Sequence, residues 1–177
     1  MDEKTNLYLV GYMGSGKTTV GKLLAGKLNR SFIDMDDFIE NRYRKTIAAI
    51  FEEKGEVGFR EIEHRILQEI SSFENAVVST GGGLPCFFDN MDLMNLTGIT
   101  IYLKADVDEL VDRLNFDKQK RPLIKGKSSE ELRNFIEENL KKRELFYNRA
   151  TIIFEVRNRS AKQETEYLIE KLLSNNQ

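Results

Sequence analysis

Residues 11–18 have the types and spacing of a loop that binds phosphate groups. They read Gly-Tyr-Met-Gly-Ser-Gly-Lys-Thr and fit the pattern G-x-x-x-x-G-K-[ST] between an apolar run and an amphipathic segment. Glycines let backbone amides converge on phosphate oxygens, and the start of the following helix adds partial positive charge. A plain glycine turn at a helix start is the alternative, and the full pattern in this context disfavours it.

The last two residues of the loop predict the ligand. Lys17 can place a point charge on the β and γ phosphates of a nucleotide, and the Thr18 hydroxyl can ligate Mg²⁺. We therefore expect ATP with Mg²⁺ as cofactor, and Lys17 as a catalytic residue. The residues expected to bind ATP in this loop are Gly14, Ser15, Gly16, Lys17, Thr18 and Thr19.

Carboxylates follow the second apolar run, at Asp34, Asp36 and Asp37. In a parallel sheet the carboxyl ends of the strands face the ligand crevice. Alternation along a strand predicts Asp34 and Asp36 on one side, so that one serves the Mg²⁺ shell and the other accepts a proton from an attacking hydroxyl. The alternative is that these aspartates cap a helix beginning near Phe38, which has most force for Asp37.

Arg60 and Glu63 lie three residues apart in a predicted helix, so the carboxylate can orient the guanidinium. Phe51 and Phe59 flank the arginine with apolar side chains. An arginine held in this way suits bidentate capture of a substrate carboxylate. From this segment alone, an ordinary exposed ion pair is the more common explanation of the spacing.

Three further features could contribute to a ligand site. Gly81, Gly82 and Gly83 directly follow the third apolar run and permit close backbone approach to a ligand. Arg121 stands in the polar, lysine-rich segment 115–129, which predicts a mobile loop able to close over ATP. Charge runs are usually solvated surfaces, which weakens the evidence for Arg121 and for Arg143.

These residues need elements that bring them together, and the apolar pattern predicts an α/β fold. Five short apolar runs without clean alternation indicate buried parallel strands covered by helices on both faces. The predicted strands are residues 7–10, 31–34, 76–80, 99–103 and 151–155. The predicted helices cover the spacing of Val20, Leu23, Leu24 and Leu28, then residues 130–147 and 164–173.

Composition excludes several classes of function. The 177 residues suit one domain, spanning 1–177, and 27 basic against 29 acidic residues give no bulk attraction to nucleic acid or membranes. No apolar run approaches the roughly 18 residues of a membrane span. A single cysteine, Cys86, and an N-terminus without a leader pattern predict a cytoplasmic protein, and one histidine argues against a zinc site.

Taken in order, these motifs resemble the shikimate kinases of the nucleoside-monophosphate-kinase-like P-loop superfamily, over residues 7–173. The matching segments are GYMGSGKTT at 11–19, the D-x-D of Asp34 and Asp36, GFREIE at 58–63, GGG at 81–83, RPL at 121–123 and KRELFY at 142–147. The resemblance implies a three-layer α/β/α fold, a five-stranded parallel sheet in the order 2-3-1-4-5, and a monomer. It also implies a substrate-binding insertion near 35–62 and a lid near 115–127.

The resemblance further implies transfer of a phosphoryl group from ATP to the 3-hydroxyl of shikimate. Asp36 would bind and help deprotonate that hydroxyl, Arg60 and Arg143 would hold the carboxylate, and the Gly82 amide would donate to the substrate. Three residues would serve the nucleotide: Arg121 as the catalytic lid arginine on the phosphates, Asp34 in the Mg²⁺ shell through water, and Arg113 near the adenine.

Two alternatives stay open on the sequence. One is a kinase of another small metabolite on the same fold, such as gluconate or a nucleoside monophosphate. The other is a nucleotide sensor that has lost catalysis, because a fold does not fix a function. The segment 155–163 also departs from the family pattern, since it lacks the proline expected in the turn that contacts adenine.

Overall fold

The computed structural model describes residues 4–117, 124–157 and 159–174. Five parallel strands form one sheet in the order β2-β3-β1-β4-β5, which confirms the predicted topology. The predicted apolar runs match the strands to within one residue at each end. The strands are β1 Asn6–Val10, β2 Ser31–Asp34, β3 Ala76–Ser79, β4 Gly98–Lys104 and β5 Ile152–Glu155.

Helices flank the sheet and supply the rest of the core. The helix α1 packs against α7, and α5 packs against α6. A short 3₁₀ turn, Leu84–Cys86, follows the glycines after β3. The helices are α1 Lys17–Leu28, α2 Met35–Tyr43, α3 Ile47–Ile70, α4 Asn90–Thr97, α5 Val107–Asp117, α6 Ser129–Tyr147 and α7 Ala161–Ser174.

Burial along the strands follows their place in the sheet. The central strands β1 and β3 are buried at every residue, because helices cover both faces. The edge strand β5 alternates, with Ile152 and Phe154 buried while Ile153 and Glu155 are exposed. The lack of alternation in the sequence therefore reflects the buried inner strands, whereas the edge strand β5 keeps a period of two.

The strand register brings three chain segments to one edge of the sheet. Ser79, the last residue of β3, pairs with Asp34 at the end of β2 and with Leu9 near the end of β1. The segments that leave these strands are the glycine-rich loop, the aspartate cluster and the triple glycine. These segments therefore meet at the carboxyl edge, where open α/β sheets bind ligands.

The helix α2 begins at Met35, earlier than the predicted start near Phe38. Asp34 is its N-cap, and the Asp34 carboxylate accepts a hydrogen bond from the Asp36 amide at 3.1 Å. Strand alternation, from which Asp34 and Asp36 were predicted to lie on one side, does not extend to Asp36, because Asp36 already lies in the first turn of a helix. Both residues nevertheless face the same crevice. Aspartate is a strong N-cap, so the chain turns into the helix directly after the strand.

The segment predicted as a lid is only partly described. The helix α5 extends to Asp117, so the first residues of the predicted loop are helical instead. Arg121 and the rest of 118–123 lie outside the described residues. In the ranges that the structure does describe, no helix is long and apolar enough to span a membrane.

Candidate active site

A cavity of about 460 Å³ opens at the carboxyl edge of the sheet. It is lined by the glycine-rich loop, by Asp34 and Asp36, and by residues 79–82 after β3. Every loop residue predicted to bind ATP, from Gly14 to Thr19, lines this cavity. Its volume suits a small-molecule ligand.

The glycine-rich loop is folded around the Lys17 side chain. The Lys17 Nζ donates hydrogen bonds to the carbonyl oxygens of Gly11, at 2.9 Å, and of Tyr12, at 3.0 Å. Gly16 is the N-cap of α1 in a left-handed conformation, with φ of 96°, which glycine adopts without steric cost. No described side chain caps α1, so its first amides and its dipole are available to an anion.

A set of oxygen atoms beside the loop fits a magnesium ion. The Thr18 hydroxyl donates to Asp34 Oδ2 at 2.8 Å and lies 3.5 Å from the Ser79 hydroxyl. Mg²⁺ is usually held by one or two protein oxygens together with waters and phosphates. Within the described residues no group of three or more His, Cys, Asp or Glu forms a metal-binding cluster. The arrangement therefore suits Mg²⁺ that arrives with a nucleotide.

Asp36 lies in the first turn of α2, and its side chain is open to the cavity. Desolvation in the crevice raises its pKa above the ordinary value, the negative charge of Asp34 raises it further, and Lys17 opposes both. A raised pKa makes a carboxylate a better proton acceptor. Asp36 is thus an accessible base close to the phosphate-binding lysine.

Arg60 is held on two sides by carboxylates and is surrounded by aromatic rings. Its Nη1 donates to Glu63 Oε2 at 2.6 Å, and its Nη2 donates to Glu56 Oε1 at 3.2 Å. The Arg60 side chain is only 11% exposed and that of Glu63 only 3%, so the alternative of an ordinary exposed ion pair was wrong. Three ring centroids lie within 6 Å of the guanidinium carbon: Phe87 at 4.3 Å, Phe59 at 5.4 Å and Phe51 at 5.7 Å.

The glycines after β3 leave space for these charged side chains. A Cβ built on Gly83 would lie 2.7 Å from Arg60 Nη1. One built on Gly81 would lie 2.8 Å from Glu63 Oε1 and 3.2 Å from Asp36 Oδ1. Any larger residue would push the arginine or the acids away. The turn therefore gathers Asp36, Glu63 and Arg60 into one cluster.

Gly82 lies between the phosphate-binding loop and Arg143. A Cβ at Gly82 would lie 3.4 Å from the Met13 nitrogen and 3.6 Å from Arg143 Nη1. The guanidinium carbon of Arg143 is 5.4 Å from the centroid of the Tyr12 ring. The structure thus brings Arg143 to the same turn as Arg60, although the two are far apart in the sequence.

Glu63 is a buried acid at the centre of this cluster. Burial raises its pKa from 4.5 to about 7, against the charge and hydrogen bond of Arg60, which lower it. Cys86, at the end of the 3₁₀ turn, also has a raised pKa, about 11, caused mainly by burial, while Arg143 and Arg60 lower it. The Cys86 thiol is therefore protonated at neutral pH, which does not suit a nucleophile.

The far end of the cavity is lined by Arg113 and by the segment between β5 and α7. Arg113 donates from Nη1 to the Gly14 carbonyl at 3.3 Å and from Nη2 to Glu109 at 2.5 Å. Val156, Arg159, Ala161 and Glu164 also line the cavity, although this segment lacks the expected proline. It follows the last strand at the same edge of the sheet, a signal that could have identified it.

The structure thus assembles nearly all of the predicted site. One group lies at the triple glycine and consists of Gly82 itself with Asp36, Arg60 and Arg143. The other lies at the phosphate-binding loop and consists of the loop residues Lys17 and Thr18 with Asp34 and Arg113. Arg121 lies outside the described residues and stays a prediction. Sequence reasoning missed the cavity residues Ser79, Thr80, Arg159 and Glu164. An acceptor with a carboxylate and a hydroxyl fits the first group, and a nucleotide phosphate fits the second.

Comparisons with known proteins agree with this geometry. A family model described as shikimate kinase matches residues 13–173. The chain is 56% identical over 167 residues to a shikimate kinase of Azobacteroides pseudotrichonymphae, covering 94% of this chain and 98% of that protein. A crystal structure of shikimate kinase from Bacteroides thetaiotaomicron superposes with a TM-score of 0.90 at 48% identity, covering 95% of this chain and 98% of that one. Another, from Acinetobacter baumannii in complex with shikimate, gives 0.89 at 37% identity and covers 97% and 94% of the two chains.

Proposed function

The chain belongs to the shikimate kinase family, and we propose that the cavity described above transfers the γ-phosphoryl group of ATP to the 3-hydroxyl of shikimate. Its activity is that of a shikimate kinase of the shikimate pathway, which leads to aromatic amino acids. One observation supports the proposed residue roles: Asp36, Arg60 and Arg143 converge around the turn at Gly81–Gly83, beside the phosphate-binding loop.

The cluster of Asp36, Arg60 and Arg143 at the triple-glycine turn matches the groups of shikimate. Its carboxylate would bind Arg60 and Arg143, and the Gly82 amide would donate to it or to a hydroxyl. Asp36 would accept a hydrogen bond from the reacting hydroxyl. The relative from Acinetobacter baumannii was crystallised with shikimate, which supports this choice of acceptor.

The donor side matches ATP. The loop amides and Lys17 would hold the β and γ phosphates, and Thr18 with Asp34 would hold Mg²⁺, which neutralises phosphate charge when bound. The adenine would lie near Arg113 and residues 156–164. Arg121 would reach the phosphates from the lid, a role that stays a prediction.

The reaction is an in-line displacement. The 3-hydroxyl oxygen forms a bond to the γ-phosphorus while the bond from that phosphorus to the β,γ-bridging oxygen breaks, and ADP leaves. The hydroxyl proton passes to Asp36, whose raised pKa favours accepting it. Lys17 stabilises the negative charge that develops on the phosphoryl oxygens.

We also infer a single domain, with residues 35–62 as the substrate-binding insertion and 115–127 as the lid. The insertion comprises α2 and the first part of α3, which carry Asp36 and Arg60. A monomer fits the absence of a long heptad pattern in the sequence. Its mass in solution, measured by light scattering, tests that inference.

The test is ADP production by the purified protein with ATP and Mg²⁺, using shikimate, gluconate, AMP or no acceptor. We expect turnover that depends on shikimate, and we expect Lys17→Ala to abolish it. Turnover with gluconate or AMP but not shikimate would leave a kinase and reject the acceptor. Nucleotide binding without turnover on any acceptor would favour a sensor.

A further inference from the structure

We propose that Tyr147 is a positioning residue for the acceptor: its hydroxyl ties the Gly82 carbonyl to the helix that carries Arg143. The Gly82 amide and the Arg143 guanidinium are thereby presented to the acceptor as one unit. This inference rests on the proposed function, in which both groups bind the acceptor. Tyr147 itself does not line the cavity and contacts it through Gly82.

The bond between Tyr147 and the turn is short and buried. The Tyr147 hydroxyl donates to the Gly82 carbonyl oxygen at 2.5 Å, and the side chain is fully buried at the end of α6. The two residues are 65 positions apart in the chain, so this hydrogen bond joins α6 to the turn after β3. A buried hydrogen bond of this kind restricts both partners.

Arg143 lies four residues before Tyr147 on α6, and therefore on the same face of the helix. Burial raises the pKa of Tyr147, and the charge of Arg143 and a side-chain hydrogen bond from it oppose that rise. Arg143 Nη1 also lies 3.6 Å from the Cβ position of Gly82. The hydroxyl, the guanidinium and the turn thus form one contiguous group.

The competing explanation is that Tyr147 is only a core residue. Its ring packs against Tyr102, with centroids 5.1 Å apart, and a large buried aromatic contributes to stability whatever else it does. The ring serves the packing role and the hydroxyl serves the positioning role, so removing the hydroxyl alone distinguishes the two. Tyr147→Phe keeps the ring and its packing and removes only the hydroxyl, with its bonds to Gly82 and Arg143.

Tyr102→Phe is the matched control. Tyr102 is also a buried tyrosine in the same ring pair, and its hydroxyl donates to Glu144 on α6 at 3.3 Å instead of to the turn. Both variants therefore lose one buried hydroxyl from one aromatic cluster. A loss that is specific to Tyr147→Phe must come from the contacts of its hydroxyl with the turn and with Arg143.

The experiment measures kcat and KM for shikimate and for ATP, with thermal melting, in the wild type and both variants. We expect Tyr147→Phe to raise the KM for shikimate about 10-fold, the effect of one hydrogen bond, while the KM for ATP changes less than about twofold. Tyr102→Phe should leave both KM values within about twofold. Equal kinetic effects in the two variants, or a lower melting temperature with an unchanged KM for shikimate, would overturn the proposal.

Coupling to Arg143 gives a second, independent readout. If Tyr147 acts through the unit that contains Arg143, Tyr147→Phe should add less than about twofold to the KM of an Arg143→Ala variant. Multiplicative effects would contradict the idea of one unit. Turnover of shikimate by the wild type tests the proposed function. The KM ratios between variants test the role of Tyr147, and they are measured with whichever acceptor the wild type uses. A failure of one proposal can therefore be told from a failure of the other.

Discussion

At the scale of single residues, two acids in one cluster, Asp36 and Glu63, have different environments and therefore different uses. Asp36 and Glu63 both have a raised pKa, and in both burial is the main cause. Asp36 opens to the cavity near Lys17, whereas Glu63 is closed off against Arg60. The open acid can exchange a proton with a substrate, and the closed acid orients an arginine.

Removing the proposed base, Asp36, should stop catalysis without removing nucleotide binding. We expect Asp36→Asn to lower kcat by at least about 100-fold, because an amide cannot accept the hydroxyl proton. The dissociation constant for ATP, measured by calorimetry, should change little. Asp37→Asn is the control, since Asp37 is exposed and does not line the cavity. A kcat for Asp36→Asn within a few fold of the wild type would remove Asp36 from the mechanism.

The buried Glu63 should leave a signature in the pH dependence of stability. Its pKa is about 7 in the folded protein against 4.5 as the ordinary value, so the folded state binds more protons between these pH values. The stabilisation that this proton uptake adds to the free energy of unfolding, about 3 kcal/mol, is therefore fully present below pH 4.5 and is lost as the pH rises through 7. Glu63→Gln removes this dependence. Its free energy of unfolding relative to that of the wild type, measured by urea melts, should therefore increase from pH 5 to 8.

The neighbour Glu61 supplies the control for that experiment. Its side chain is exposed on the same helix, so Glu61→Gln should differ from the wild type by a constant amount across the range. A constant difference for Glu63→Gln as well would show that Glu63 does not take up a proton on folding.

At the scale of elements, the strands were predictable and the start of α2 was not. The five apolar runs are short and are flanked by polar or helical segments. The change from apolar to polar residues is therefore enough to predict where each strand ends. The start of α2 depends on whether Asp34 continues the strand or caps a helix, which is decided by its bonds to Thr18 and Asp36. Only one of these partners is local in sequence.

The break inside α3 is an element-scale feature that requires glycine. Gly55 has φ of 67° and ψ of −178°, a conformation essentially confined to glycine, and it divides α3 just before Glu56 and Arg60. We expect Gly55→Ala to lower the free energy of unfolding by about 1–3 kcal/mol in chemical denaturation.

The same chain contains a control for this substitution. Gly26 lies inside α1 with no atom within 4 Å of its Cβ position and no positive φ. Gly26→Ala should therefore raise the free energy of unfolding by about 0.5–1 kcal/mol, since alanine favours the helix. A stabilising effect at Gly55 as well would show that the break in α3 is not a fixed feature of the fold.

At the scale of the whole molecule, the sheet brings together residues that the sequence leaves far apart. The phosphate loop, Asp36, the glycine turn and Arg143 come from four separate stretches and meet at one edge. Motif spacing predicted the first three because each directly follows a strand. The position of Arg143 rested on family resemblance, and the bond from Tyr147 to Gly82 had no sequence signal except the i, i+4 spacing on α6.

We have proposed that Arg60 and Arg143 select the acceptor by its carboxylate. The most direct test compares kcat/KM for shikimate and for its methyl ester, which keeps the hydroxyls and removes the negative charge. In the wild type, kcat/KM for the ester should be at least about 100-fold lower than for the acid. In an Arg60→Ala variant this difference should become much smaller. That comparison separates the effect of the lost charge from the effect of the added methyl group. Equal kcat/KM values for acid and ester in the wild type would show that the two arginines do not recognise the carboxylate.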